Sequence, residues 1–444
     1  MADDEGRRHH FLLVSYGFQS HINPGRVLAH RLARLGGADG SISATLSVPV
    51  ATYRSMFPSP DAEAAAAEEE TTNDGVISYV PYSDGVDDGS MPRDAANRAV
   101  RRRATSASLS AVVARLAGRG QPVTCIMCTV VSLPVLDVAR EHSIPVAVYW
   151  IQTATLLAIN YHYFVHGYSE LIVPHAADPA HEVRLPGLSR PLQISNIPSY
   201  LIDMSGSESA KAFLEVFTIG PMVGSSTETR IHLFKHDSSD KKRYMEWLQG
   251  HPEKSVVYVS FGSLSKYTKL QMEEIVGGLR QCGRPYLLVV RRDGLVDDDD
   301  ESGSLEKNNQ SQGMVVDWCS QLEVLSHPAI GCFVSHCGWN STMEAMLSGV
   351  PIIGAPNMFD QPTNVFFIEE EWEVGIRAES NNDGVLMGTE LARCVELVMG
   401  EGAKAMAIRE KAKALKEVAQ AAAGIGGAAE RNLRDFVKAI PCRN

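Results

Sequence analysis

Residues 318–361 read WCSQLEVLSHPAIGCFVSHCGWNSTMEAMLSGVPIIGAPNMFDQ. Within them, Cys332-Phe333-Val334-Ser335 has the unbroken apolar character of a strand covered on both faces. Residues 336–342 read as a tight polar turn. Met343-Glu344-Ala345-Met346-Leu347 then opens a helix that Gly349 ends. A strand, a glycine-containing turn and a helix start together aim unpaired N–H groups and the positive end of a helix dipole at an anion. Asn340, Ser341 and Thr342 add side-chain donors. One helix end contributes about 0.3–1 kcal/mol per charged contact, so several donors must converge to hold a diphosphate. Glu344 stands three residues past Ser341, one turn on, where it faces the same ligand. A carboxylate there repels phosphate but suits the paired hydroxyls of a ribose. Asp360 and Gln361 follow the next apolar run, an acid and an amide able to read sugar hydroxyls. Trp318 and Trp339 offer flat apolar faces to a base or a sugar. A lone Glu on a helix is usually solvated and a lone Trp usually core, so the weight rests on all of them falling in one short stretch.

Outward from this stretch the chain alternates short apolar runs with amphipathic ones. Strands are expected at 11–15, 42–48, 76–80, 123–131 and 145–149, and again at 256–260, 286–290, 314–316, 332–334 and 351–353. The first crossover helix is expected to start at Asn23 as N-cap with Pro24 in its first turn, and to end at Gly36-Gly37. Val27, Leu28, Ala29, Leu32 and Leu35 form its apolar stripe. A length of 444 residues leaves room for two or three domains. The economical reading is α/β: two doubly wound halves joined near residues 221–240. Residues 62–70, 296–312 and 419–429 read as mobile segments, the second as a surface loop.

The net charge is −12, which lacks the basic balance of a nucleic-acid binder. Any positive potential for an anionic ligand must therefore be local. Eight cysteines in 444 residues are too few for a disulfide scaffold. Cys125 and Cys128 form a CxxC inside an apolar run, with no second pair to complete a zinc site, and read as buried thiols. The first ten residues, MADDEGRRHH, have no apolar region behind them of the kind a signal peptide needs. No run of 18 or more apolar residues exists, so no membrane span is expected. A cytoplasmic location follows as the expectation.

The 318–361 stretch resembles, without gaps, the signature box of the plant UDP-dependent glycosyltransferases of secondary metabolism. Glu246-Trp247-Leu248, the run SVVYVSFGS at 255–263 and GFQSHIN at 17–23 extend the resemblance over most of the chain. It looks nearest to the group acting on phenolics, anthocyanins and hormone-like carboxylates. The resemblance implies the GT-B arrangement, two facing Rossmann-like domains with a cleft between them. Residues 1–230 would be the acceptor-binding domain, 231–244 a linker and 245–425 the UDP-sugar-binding domain. Residues 426–444 would be a C-terminal helix returning to the first domain. Carried over, Trp318 would stack on uracil beside Cys319, and Gln321 and Glu344 would take the ribose hydroxyls. Ser263, Ser265, His336, Gly338, Asn340 and Ser341 would surround the phosphates. Trp339, Asp360 and Gln361 would read the sugar, in a combination that accompanies UDP-glucose.

His21 follows the first strand at the C-terminal edge of a parallel sheet, where α/β folds place ligands. Histidine titrates near neutrality and suits removal of a proton from an attacking oxygen. The resemblance makes His21 the general base. Three departures from the family pattern stand out. Thr129 occupies the place of the Asp that usually backs the base, while Asp137, eight residues on, reads as structural. A hydroxyl cannot neutralise an imidazolium, so a phenol or carboxylate acceptor is expected. Ser20 replaces a usual Gly. Residues 211–217 run straight into 218–221, where the family carries a further strand and an acidic helix, so the first domain is expected to be shortened.

The expected activity is inverting transfer of glucose from UDP-glucose to a small, flat, hydrophobic acceptor. No metal is expected, since Asp297–Asp300 sit apart from the nucleotide motif. A small-molecule acceptor, no nucleic acid and a monomeric chain complete the expectation. The alternative is a sugar-nucleotide-binding protein with little turnover because of the shortening. A dinucleotide oxidoreductase fits poorly, because Tyr16-Gly17-Phe18-Gln19-Ser20 stands where GxGxxG would be. A hydrolase would need a Gly-x-Ser-x-Gly elbow, which is missing from the strand–helix turns.

Overall fold

The computed structural model describes residues 8–37, 40–58, 71–88, 95–129, 132–203, 238–262, 265, 267–291 and 312–441. Among these, chain contacts define two compact units. The first takes residues 8–154 and 422–441, and the second takes 155–203 and 238–421. The junction expected at 217–218, Ser263 and the acidic run 297–300 lie outside the described residues, as do 62–70 and most of 296–312.

The first unit is built on β1 (His9–Val14), β2 (Ile42–Pro49), β3 (Thr72–Asn73), β4 (Ser78–Tyr82), β5 (Cys125–Cys128) and β6 (Val146–Val148), in the spatial order β3-β4-β2-β1-β5-β6. All neighbours are parallel except β3 against β4. Alternation along β1 explains the double coating. Phe11 and Leu13 point to one face, where they meet Leu28, Ala29 and Leu32 of α1 (Gln19–Leu35). Leu433, Phe436 and Val437 of the last helix, Ala428–Ala439, close the same face. Leu12 and Val14 point to the other face, against Leu109, Val112 and Val113 of α2 (Ala95–Gly118) and Val135 and Val138 of α3 (Leu133–Glu141). Each fully buried leucine contributes about 1.5–3 kcal/mol over an exposed one. Cys125 belongs to the first face and Cys128 to the second, so the CxxC thiols project to opposite sides of the sheet. Burial pushes both up to about 12, consistent with inert core thiols.

The start of α1 differs from the sequence expectation. The helix begins at Gln19, five residues before Pro24, which lies inside it. Ile22 is fully buried, and its N–H already donates to the Phe18 carbonyl (3.0 Å), so apolar burial extends the helix backward past the proline. Pro24 removes a single intrahelical bond close to the end, where the loss is mild. The run 419–429 also differs: the helix Ala403–Ala423 covers its first part, and Ala419 and Ala429 are buried.

The second unit has β9 (Val256–Ser260), β10 (Tyr286–Val289), β11 (Gly313–Val316), β12 (Ile330–Ser335), β13 (Ile352–Gly354) and β14 (Gly375–Arg377), all parallel, in the order β11-β10-β9-β12-β13-β14. Val257 and Val259 face the helices Lys269–Gln281 and Gly388–Met399, while Val256 and Tyr258 face the opposite layer. A short hairpin of β7 (Glu182–Val183) and β8 (Leu192–Gln193) also belongs to this unit.

A polar cluster pins α1 in the first unit. The Asp74 carboxylate accepts hydrogen bonds from the Tyr79 hydroxyl (2.7 Å), Arg26 (3.1 Å) and the N–H groups of Val76 and Ile77 (both 3.0 Å), and pairs with His30 (2.9 Å). Burial alone would raise this carboxyl, but those donors outweigh it and hold it well below the ordinary carboxylate range. A depressed carboxyl adds stability above its unfolded pKa near 4 and loses it as pH falls through the folded value. Asp74→Asn is therefore expected to lower unfolding stability by about 2 kcal/mol at pH 7. The gap from wild type should shrink as the pH drops below about 4, as read by urea titration across pH.

Candidate functional site

In each sheet one pair of adjacent strands sends its connections in opposite directions. β1 leads through α1 to β2, while its other neighbour β5 leads through α3 to β6. β9 leads through Lys269–Gln281 to β10, while β12 leads through the helix Trp339–Ser348 to β13. Divergent connections leave a crevice at the C-terminal strand ends, where ligands of open α/β sheets bind.

At the β1/β5 crevice the structure brings His21 and Thr129 together. His21 sits in the first turn of α1, and its Nδ1 lies 2.8 Å from Thr129 Oγ1 just past β5. The rings of Tyr16 and Phe18 pack beside it, with centroids 5.7 and 6.2 Å away. Burial pushes the imidazole down to about 4, and the positive end of α1 acts in the same direction. His21 is therefore neutral at neutral pH. With Nδ1–H donating to Thr129, Nε2 carries the lone pair. Asp137 is committed elsewhere: it accepts a forked pair of bonds from Arg102 Nε (2.9 Å) and Nη2 (3.0 Å). Ser20 lies half-buried in the same helical turn.

At the β9/β12 crevice, His336 is held between two glycines. A Cβ added at Gly262 or Gly338 would fall 2.6 Å from the ring. Gly262 has φ +77°, a conformation side chains resist. His336 Nδ1 is buried without a hydrogen-bond partner, and burial pushes the ring down to about 4. The helix expected from Met343 begins instead at Trp339, with Gly338 as N-cap and Gly349 (φ 69°) as C-cap. The polar side chains of Asn340 and Ser341 thus lie in its first turn, where backbone donors have no carbonyl one turn back. Ser265, buried, shares a hydrogen bond with Tyr267. Ser260, Gly262, Ser265, Tyr267 and Arg291 line a small recess there.

Gln321 links two segments of this region. Its Nε2 donates to Ser341 Oγ and Glu344 Oε2, both at 2.9 Å. Glu344 and Ser341 are buried on the same helical face. Trp318 is half-buried at the end of the loop after β11. Cys319 turns inward, its thiol 3.2 Å from the Tyr258 hydroxyl, so only its backbone remains for a ligand. Trp339 is half-buried, its ring centroid 6.3 Å from that of Trp372.

Asp360 and Gln361 follow β13. The buried Asp360 carboxylate accepts from Asn364 Nδ2 (2.7 Å), and burial raises its pKa. Asn364 Nδ2 also donates to the carbonyl of Cys337 (2.9 Å), a residue strained at φ 61°. Gln361 Oε1 accepts the N–H groups of Asn357 (2.8 Å) and Met358 (3.0 Å), which shapes the loop before it. Asn364 and Tyr258 were not singled out from sequence. Asn364 had a legible signal, since it stands four residues beyond Asp360 on one helical face. Among the described residues no group of three or more His, Cys, Asp or Glu is arranged to hold a metal ion. No described helix is long and apolar enough to cross a membrane.

Residues 220–406 match the family model described as UDP-glucoronosyl and UDP-glucosyl transferase. The chain is 35% identical to crocetin glucosyltransferase, chloroplastic, of Gardenia jasminoides, over 97% of each chain. It is also 35% identical to phloretin 4'-O-glucosyltransferase of Malus domestica, over 98% of each. These alignments span 481 and 494 positions, more than the 444 residues of the chain, so the relatives carry residues that it lacks. Os79 from O. sativa, solved in complex with UDP, superimposes with a TM-score of 0.79 at 26% identity, covering 97% of this chain and 100% of Os79.

The clamp on His336 yields a direct test. Gly262→Ala combines left-handed strain with a clash against the ring, so it should cost at least about 2 kcal/mol. A melting-temperature fall of about 4–8 °C in a thermal scan is the expected outcome.

Proposed function

The chain belongs to the plant UDP-dependent glycosyltransferases, and within that family we propose an inverting glucosyltransferase that uses UDP-glucose on a small, flat, hydrophobic acceptor. The observation that carries this reading is the Gln321–Ser341–Glu344 network beside the glycine-clamped His336. Glu344 bonds Gln321 through Oε2, and a carboxylate is the acceptor type that suits a vicinal diol. Os79 was solved with UDP, and the two curated relatives are named glucosyltransferases, which supports the donor class.

In this reading Trp318 stacks on uracil and the Cys319 backbone lines the base. Gln321 and Glu344 hold the ribose. Ser263, Ser265, His336, Gly338, Asn340 and Ser341 surround the diphosphate, and Trp339, Asp360 and Gln361 read the glucose. His21 Nε2 takes the acceptor proton as the oxygen attacks the anomeric carbon. The bond from that carbon to the phosphate oxygen breaks, and its electron pair leaves with UDP. Back-side displacement converts the α-linked donor into a β-glucoside. A neutral His336 and first-turn N–H groups offer hydrogen bonds to the charge developing on the leaving diphosphate. Thr129 holds the His21 ring through Nδ1 and fixes its tautomer.

The test is an acceptor screen with UDP-glucose, run beside His21→Ala. Release of UDP with a β-glucoside of a phenolic acceptor is expected. His21→Ala should lose 10²–10⁴-fold in kcat on a phenol, while UDP still raises the melting temperature of the variant. Turnover with a different nucleotide sugar alone would overturn the donor assignment. Stabilisation by UDP with no product from any acceptor would favour the binding-protein alternative that the shortened alignment raises.

A further inference from the structure

We infer that Thr129 is a specificity-determining residue: by backing His21 with a hydroxyl in place of a carboxylate, it restricts rapid transfer to acceptor oxygens that ionise readily, carboxylates first and acidic phenols next, and excludes alcohols. The inference rests on the glucosyltransferase reading above and names its acceptor class.

The geometry carries it. His21 Nδ1 meets Thr129 Oγ1 at 2.8 Å. Each element packed against the ring contributes a neutral partner: Tyr16 and Phe18 from the loop after β1, and Thr129 from the end of β5. Cys128, the preceding residue on β5, sits in the core of the opposite face as a protonated thiol. Two acids of the same unit are paired with other cations: Asp137 is forked on Arg102, and Asp84 pairs with Arg101 at 3.0 Å. Tyr82 sends its hydroxyl to the Ser15 carbonyl (3.1 Å), and burial keeps that phenol protonated. Among the described residues no carboxylate is bonded to the His21 ring, so an imidazolium formed there lacks a paired anion among them, in agreement with the ring's depressed basicity.

The chemistry then sorts acceptors. An ordinary phenol ionises near 10, so a ring whose basicity burial depresses is a poor acceptor for its proton. Alcohols, weaker acids still, are worse. A carboxylate is ionised at neutral pH and needs no base. Its oxygen forms the bond to the anomeric carbon, the carbon–phosphate oxygen bond breaks, and UDP leaves with the electron pair. The products are a sugar ester and UDP, with no proton to place. For such acceptors His21 positions and does not catalyse by proton transfer.

The experiment uses the full chain with 2-naphthoate, 2-naphthol and 2-naphthylmethanol, which share one flat apolar body. The expected kcat order is naphthoate above naphthol, with naphthylmethanol at least 100-fold below naphthoate. His21→Ala should cost naphthoate less than 10-fold in kcat and naphthol at least 100-fold. Thr129→Asp should raise naphthol and naphthylmethanol turnover at least 10-fold relative to naphthoate. Its acid limb with naphthol should move up by one pH unit or more. Thr129→Ser, which keeps the hydroxyl, should behave as wild type. Carbon-13 imidazole NMR of His21, identified by its loss in His21→Ala, reads the same point without turnover. The ring should titrate below pH 5 in wild type and at least one unit higher in Thr129→Asp. Equal kcat for the three acceptors, or a wild-type His21 that titrates above pH 6, overturns the inference. If no acceptor turns over while UDP still stabilises the chain, the glucosyltransferase reading fails, and the NMR arm separately decides whether Thr129 sets the basicity of His21.

Discussion

Divergent strand connections are the constraint on which the chemistry of this molecule depends. A parallel sheet whose central strands send their helices in opposite directions must leave an opening at their C-terminal ends. Both sheets do this, β1 beside β5 in the first and β9 beside β12 in the second. At each opening stands a half-buried histidine that burial keeps neutral. The two rings are held differently. His21 is fixed by a hydrogen bond to one ring nitrogen, His336 by steric contact with Gly262 and Gly338. The first arrangement leaves a lone pair for proton transfer. The second leaves Nδ1 buried without a protein partner among the described residues.

Around the second opening, polar groups are tied together in advance. Gln321 joins the loop after β11 to the helix after β12, and Asn364 joins the strained Cys337 to Asp360 after β13. Ser199 adds a tie from a segment earlier in the chain, where its N–H donates to the Phe359 carbonyl (3.1 Å) and its hydroxyl accepts from the Phe359 N–H (2.9 Å). Such cross-links fix the relative positions of the segments that meet at this opening. They also pair the buried Glu344 carboxylate and the buried Nδ2 group of Asn364 inside an otherwise apolar unit.

Much of this was legible in the sequence, for physical reasons that can be named. Near-continuous apolar runs marked the strands within a few residues because both faces of each sheet are covered. The 318–361 stretch concentrated its polar chemistry at strand ends and helix starts, where backbone donors are free. The failures also have causes. Pro24 and Asn23 carry strong helix-start signals, yet burial of Ile22 outweighed them and drew His21 into the helix. Trp339 starts its helix four residues before the expected Met343, because an N-cap glycine is a weak signal beside the polar cluster that follows it. Cys319 reads as a neighbour of the base-stacking Trp318, but strand alternation does not extend into a loop, and the thiol turned into the core.

The replacement of a carboxylate by Thr129 shows how a small change of side chain can redirect chemistry while the fold stays the same. Threonine preserves the bond to Nδ1, so the ring keeps its orientation and tautomer. What a threonine lacks there is charge, which matters more as the ring becomes less solvated. A buried base without a counter-ion is a weak proton acceptor, yet its uncharged ring is easier to bury beside Tyr16 and Phe18 than an ion pair would be. An acceptor that arrives already ionised gains from both effects, because it needs no base and its attack is strengthened where water cannot solvate it.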